Sequence, residues 1–144
     1  MEKLSPTTES ILSERYGKDG IIALATCADG KPSVRYVNSF YENGSFYVLT
    51  YTLSGKIRQI ADNPEAAVAA EWFTAHGKGV NLGAFSRKEN APIAEKMKTV
   101  FAAWLDNGHS NLEDENTCIL QIRLTDGVLL DHGTRHEIDF TDLL

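Results

Sequence analysis

The chain has 144 residues, 42% hydrophobic and 24% charged, with a formal net charge of −6. That length fits one domain spanning residues 1–144, with a core that needs neither disulfides nor a metal. The acidic balance disfavours nucleic acid and anionic membranes. No apolar run approaches bilayer length, and Met1-Glu2-Lys3-Leu4-Ser5-Pro6 lacks the apolar core of a secretory signal.

Residues 7–16 read as a short helix anchored by Ile11 and Leu12 and stopped at Gly17. Ile21 to Cys27 is a continuous apolar run, the pattern of a strand covered on both faces. Turn chemistry at Ala28-Asp29-Gly30-Lys31-Pro32 leads into a second strand, Ser33 to Phe40. Glu42-Asn43-Gly44 is a hairpin signal, and Ser45 to Tyr51 is a third strand of high β-propensity. Tight turns make these three an antiparallel meander. Ser54 caps a predicted helix from Gly55 to Asp62, which Asn63-Pro64 ends.

Ala66 to Phe73 and Gly77 to Phe85 are the next two predicted strands; the glycines of the second suggest a bend or a close backbone approach. Residues 92–105 form the clearest helix, with Ile93, Met97, Val100, Phe101, Trp104 and Leu105 on one face and a stop at Asn107-Gly108. Asn111 to Asn116 is polar and reads as a loop. In Thr117 to Thr125 the residues Cys118, Leu120, Ile122 and Leu124 share one face. Asp126-Gly127 reads as a turn, with a last strand starting at Val128 to Leu130. Short strands, hairpin turns and few helices predict a mainly β fold: an antiparallel barrel of six to seven strands with peripheral helices, closed to remove exposed edges. Cys27 and Cys118 lie in separate apolar stretches, the pattern of buried reduced thiols in a cytoplasmic protein.

The informative stretch is Ser33 to Pro64. Arg35 sits among apolar neighbours, the third strand ends in Thr50-Tyr51-Thr52, and the next helix opens with Ser54-Gly55-Lys56. A helix N-terminus attracts anions through its free N–H groups and dipole, yet here its first turn carries a lysine where an acid is favoured. A bound phosphate explains that lysine, and Arg35 offers a bidentate fork to the same group. A solvated Lys56 and an Arg35 paired with a surface carboxylate explain the residue types equally simply.

The ordered series Ile22-Ala23-Leu24-Ala25-Thr26, Gly30-Lys31-Pro32, Ser33-Val34-Arg35-Tyr36-Val37, Tyr47-Val48-Leu49-Thr50, Ser54-Gly55-Lys56 and Asn63-Pro64 resembles the pyridoxamine 5′-phosphate oxidase-like superfamily. Its short bacterial members, the general stress and nitroimidazole-resistance-type flavoproteins, are the most similar. The motifs span roughly residues 15 to 85 and continue more weakly through Cys118 to Phe140. The resemblance implies a Greek-key split β-barrel that binds FMN at a homodimer interface. It places Arg35, Tyr36, Val37 and Asn38 along the flavin, Leu49 and Thr50 at the end of the next strand against the cofactor, and Ser54, Gly55 and Lys56 around the phosphate. The partner subunit contributes from the hairpin matching Trp72 to Gly83. There Trp72 either stacks near the isoalloxazine or packs in the core, and Lys78 and Asn81 are further candidates.

Two departures stand out. Many full oxidases carry Arg before the phosphate-turn lysine, where this chain has Gly55. The closing segment His132 to Phe140 also lacks the Trp- and Arg-bearing substrate pattern. Both argue against oxidation of pyridoxamine phosphate itself. The implied function is an FMN-dependent oxidoreductase acting on an unidentified small molecule, with a small-molecule electron donor. The alternative is a cofactor carrier or sensor for FMN, haem or deazaflavin that does not turn over. No metal site is expected: His132 and His136 are four apart, but Gly133 and strand-like flanks argue against a helix. His76 and His109 read as solvent-facing, with His76 close to the expected flavin edge, and Glu113-Asp114-Glu115 reads as a solvated loop.

Overall fold

From Gly20 to Tyr51 the chain folds as the meander its turns encode. The computed structural model describes residues 1–105 and 111–144, so the predicted helix stop at Asn107-Gly108 and His109 lie outside the described residues. Strands β1 (Glu2–Lys3), β2 (Gly20–Ala28), β3 (Lys31–Glu42), β4 (Ser45–Tyr51), β5 (Glu65–Ala70), β6 (Phe73–Ala84), β7 (Thr117–Asp131) and β8 (Thr134–Asp139) form one sheet, with helices α1 (Pro6–Tyr16), α2 (Gly55–Asp62) and α3 (Ala91–Val100) around it. The order is β1-β8-β7-β4-β3-β2-β5-β6, and β6 also pairs with β7, closing a six-stranded antiparallel barrel. Strands β2, β3 and β4 run as a meander and β5 returns beside β2, which is Greek-key order. Strands β8 and β1 extend the sheet from β7, β1 pairing parallel to β8. Among the described residues no helix is long and apolar enough to cross a membrane.

Inward residues of alternating strands fill the barrel: Ile22 and Leu24 from β2, Phe46 and Val48 from β4, Val68 from β5, Phe73 from β6, and Leu120, Ile122 and Leu124 from β7. A second cluster lies outside the barrel wall, where Ala94 and Met97 of α3, with Phe101 and Leu105, pack on Phe40, Phe85 and Ile119. Trp104 anchors that face through its Nε1, which donates to Asp19 Oδ2 at 2.9 Å.

Several boundaries differ from the sequence reading. Asp126-Gly127 is not a turn: β7 runs unbroken to Asp131, and the turn is His132-Gly133, where His132 has φ +48°. β6 already starts at Phe73, which the sequence reading assigns to the preceding strand. Helix α3 ends at Val100, and turns carry the rest of its apolar stripe. Cys118 is buried but Cys27 only half-buried, and both are free thiols. Strand β2 is fully covered on one face alone: Ile22, Leu24 and Thr26 are buried, while on the other Ala23, Ala25 and Cys27 are half-buried and Ile21 is 64% exposed.

Candidate cofactor-binding site

The barrel is split on one side. Strand β3 pairs with β2 from Lys31 to Ser39 but with β4 only from Phe40 to Glu42. Beyond that point β4 stays with β7 as far as Tyr51. The outer part of β3 therefore has one unpaired edge, and α2 follows β4 at the mouth of the gap.

Arg35 stands on β3 beside this gap. Its Nη1 donates to Leu24 O at 3.2 Å and to Thr26 Oγ1 at 2.8 Å, and Thr26 Oγ1 donates in turn to Gln59 Oε1 of α2. These bonds tie the guanidinium to both β2 and α2. Lys56 lies in the first turn of α2, near enough to Arg35 to feel its charge. Burial lowers the Lys56 pKa below its ordinary value and Arg35 lowers it further; burial alone lowers that of Arg35. Neither cation has a carboxylate partner among the described residues.

Ser54 occupies the N-cap of α2 with extended backbone, yet its side chain makes no capping bond, and its Oγ is buried without a hydrogen-bond partner. The first turn of α2 contains no acid. Below it, Thr52 N donates to Asn116 O at 2.7 Å, and the Cys118 thiol is pushed up by burial against the opposing effects of Thr52 and Lys56. Two cations without an acid, an uncapped helix start and an orphaned hydroxyl make a site electrostatically complementary to a phosphate.

The remaining predicted residues divide. Thr50 is partly buried and pairs with Cys118, while Leu49 turns to the opposite face and packs on the α3 cluster. Val37 packs on the barrel core, and Asn38 Nδ2 donates to Asp19 Oδ1 at 3.1 Å. Tyr36 is 82% exposed on the outer face. Gly55 is exposed at the start of α2. Trp72 is not part of this cluster: it sits in the β5–β6 turn at φ +65°, lining a separate pocket with Arg15, Leu130 and His132. Lys78 is paired with Glu65, and Asn81 Oδ1 accepts from Gly83 N at 2.9 Å. The sequence reading does not single out Gln59, nor Thr26 as a site residue. The signal for Thr26 is its place as the polar member of the inward series Ile22, Leu24, Thr26.

The outer face of β2, β3 and β5 is only partly covered: Ala23, Ala25 and Ala67 are half-buried, and Val34, Tyr36 and Ala69 are exposed. Ala23, Ala25, Ala67 and Ala69 floor a groove of about 310 Å³, bordered by Val34 and closed at one end by His76 and Asp126. His76 Nδ1 and Asp126 Oδ2 are 2.9 Å apart, and Thr125 Oγ1 donates to the other Asp126 oxygen at 2.9 Å. A register shift at His76/Gly77 makes Thr125 the extra residue of a bulge, which aims Asp126 at His76. His132 lies in the last turn, and His136 is bonded to Glu2, 2.7 Å away. Among the described residues no group of His, Cys, Asp and Glu could hold a metal ion.

The family model for pyridoxamine 5′-phosphate oxidase matches residues 11–128. No curated protein matches the chain by sequence. Among solved structures, the chain is similar to general stress protein 26 from Bacillus anthracis, at 17% identity and a TM-score of 0.65, covering 90% of this chain and 97% of that one. A FAD-binding protein from Mesorhizobium loti gives 15% identity and a TM-score of 0.65 over 86% and 92%. A heme-binding protein from Mycobacterium smegmatis gives 15% identity and a TM-score of 0.70, over 98% of this chain and 60% of that one. At these identities the likeness is one of fold.

Proposed function

Because the chain belongs to the pyridoxamine 5′-phosphate oxidase family, we propose that it binds FMN by its phosphate at Arg35 and Lys56, at the interface of a homodimer, and acts as an oxidoreductase on a small molecule. The observation that carries this reading is the pair of partly buried cations with no acid between them. Holding two such charges together is unfavourable in the free protein and becomes favourable when a dianion bridges them. The orphaned Ser54 hydroxyl supplies a further donor, and the free N–H groups of α2 add their dipole.

In this reading the phosphate end is held by Arg35, Ser54, Gly55 and Lys56, and the flavin follows the unpaired edge of β3 past Tyr36, Val37 and Asn38. Bound FMN supplies the electron-transfer chemistry; the chain supplies position and electrostatics. The half-covered alanine face of β2 and β5 supports the dimer. Ile21 to Cys27 has the composition of a strand covered on both faces, and one chain buries only one of them fully. A second copy provides the missing cover and brings its own Trp72 hairpin. The two free cysteines fit the cytoplasmic placement expected from the sequence.

The test is an absorbance spectrum of purified protein after FMN is added and the unbound fraction removed. Wild type is expected to retain a flavin spectrum and Lys56→Ala to lose most of it. No retained flavin in wild type overturns the reading, and a Soret band in the purified protein replaces it with the haem alternative.

A further inference from the structure

We propose that Gln59, acting through Thr26, is the positioning residue that aims Arg35 at the phosphate, and that its neutral amide is what keeps the site open to an anion. This rests on the flavin reading above and deepens it. Arg35 stands directly opposite Leu24 across the β2–β3 ladder, and its guanidinium runs along the inward face of β2 from Leu24 O to Thr26 Oγ1. The chemistry of the groups fixes the direction of these hydrogen bonds. A guanidinium can only donate, so Thr26 Oγ1 accepts from Arg35. Its single hydrogen is left for Gln59, whose Oε1 accepts it. Thr26 is 2% exposed, so losing these partners would strand a buried hydroxyl.

Position 59 needs an acceptor, but glutamine is not the only side chain that offers one. Glutamate has the same length and the same Oε1, and would take the Thr26 hydrogen equally well. The difference is charge. Gln59 lies three residues after Lys56 on the same flank of α2, and both are half-buried. A carboxylate there would sit one hydroxyl away from Arg35 and within a turn of Lys56. It would pair with two cations that have no acid partner among the described residues. The free protein would gain and phosphate binding would lose, because the acid would neutralise the charge that the phosphate needs. The amide satisfies Thr26 without supplying a counter-charge. Arg35 is thereby oriented while its positive charge stays available to a ligand.

The experiment compares FMN with riboflavin by fluorescence titration of the full-length protein, alongside the melting temperature of the flavin-free form, in wild type, Gln59→Glu, Thr26→Val and Thr26→Ser. Gln59→Glu is expected to cut the preference for FMN over riboflavin by about tenfold or more, while the flavin-free protein melts higher than wild type. A glutamine with a merely structural role would instead lose affinity and stability together. Thr26→Val is expected to cut the preference about tenfold with riboflavin affinity unchanged, and Thr26→Ser, which keeps the hydroxyl, to hold it within about threefold of wild type. A Gln59→Glu protein that keeps the wild-type preference, or that loses stability and FMN together, overturns the inference and leaves the flavin reading standing. So does a Thr26→Ser protein that favours FMN no more than Thr26→Val does. No preference for FMN in wild type removes the phosphate reading, and this inference with it.

Discussion

Lys56 works against its own surroundings in the free protein. Burial disfavours its charge, Arg35 adds repulsion, and no carboxylate compensates. Replacing it should therefore separate binding from stability. Lys56→Met is expected to weaken FMN by about 1–3 kcal/mol, the range for a charged hydrogen bond, while the apoprotein melts no lower than wild type. Titration calorimetry and thermal denaturation read the two effects. The pH dependence has a fixed sign. The unfolded lysine titrates near 10.5 and the folded one lower, so between those values the unfolded chain binds more protons. Stability of the free protein then rises with pH across that window. A bound phosphate favours the charged form and raises the Lys56 pKa, so FMN affinity falls as pH climbs through the free-protein value. Lys56→Met should remove both slopes; slopes unchanged in that variant would assign them to other groups. At this scale the sequence made Arg35, Ser54 and Lys56 legible, because a lysine in a helix's first turn breaks a local rule. Gln59 was not legible, because its role exists only once α2 lies against β2.

Helix α2 holds Lys56 in place, and its seat is Gly79. A Cβ at Gly79 would lie 2.7 Å from Ile60 Cδ1 and 2.9 Å from its Cγ1 and Cγ2. Gly79→Ala should therefore push α2 off β6, costing about 1–3 kcal/mol of stability as overpacking does, and weaken FMN binding although it touches no cofactor. Adding Ile60→Val should recover part of both losses. A Gly79→Ala protein with unaltered melting temperature and affinity would show that this contact does not position the helix. Strand β4 and helix α2 keep the bounds read from sequence because the Asn43-Gly44 turn starts the one and Asn63-Pro64 stops the other, both locally. Strand β7 does not. Its Asp126-Gly127 carries turn chemistry, but pairing with β6 on one side and β8 on the other overrides it. Gly127 is there for packing, since a Cβ would lie 2.9 Å from Phe73 Cε1. The apolar stripe of α3 likewise outlasts the helix, because the turns after Val100 bury Phe101 and Leu105 in the same cluster.

At the scale of the whole molecule, the outer face of β2, β3 and β5 is where large apolar side chains stand exposed over a run of alanines. Val34 is 70% exposed and Tyr36 82% exposed above the alanine floor. Sedimentation should show a two-chain species. Val34→Glu should shift it toward monomer, with FMN affinity falling in parallel, because a like charge facing its copy across a desolvated surface is costly. A wild-type monomer that binds FMN tightly would contradict the shared site. The barrel class was readable from strand lengths and turns, and the incomplete cover of β2 emerges only when its apolar run is set against its exposure. Trp72 illustrates the limit of a single sequence: its pattern fits core or cofactor, and the fold settles only the first, leaving it 60% exposed in the β5–β6 turn.

The central claim is that the Arg35–Lys56 cluster holds a flavin by its phosphate. It is tested most directly by comparing FMN with riboflavin, which has the same ring and no phosphate, on wild type and on Lys56→Ala. The account predicts that wild type prefers FMN by at least about a hundredfold, as loss of two charge-assisted contacts implies, and that the variant loses most of this preference. Equal affinity for the two ligands in wild type, or a preference that survives in Lys56→Ala, would contradict it.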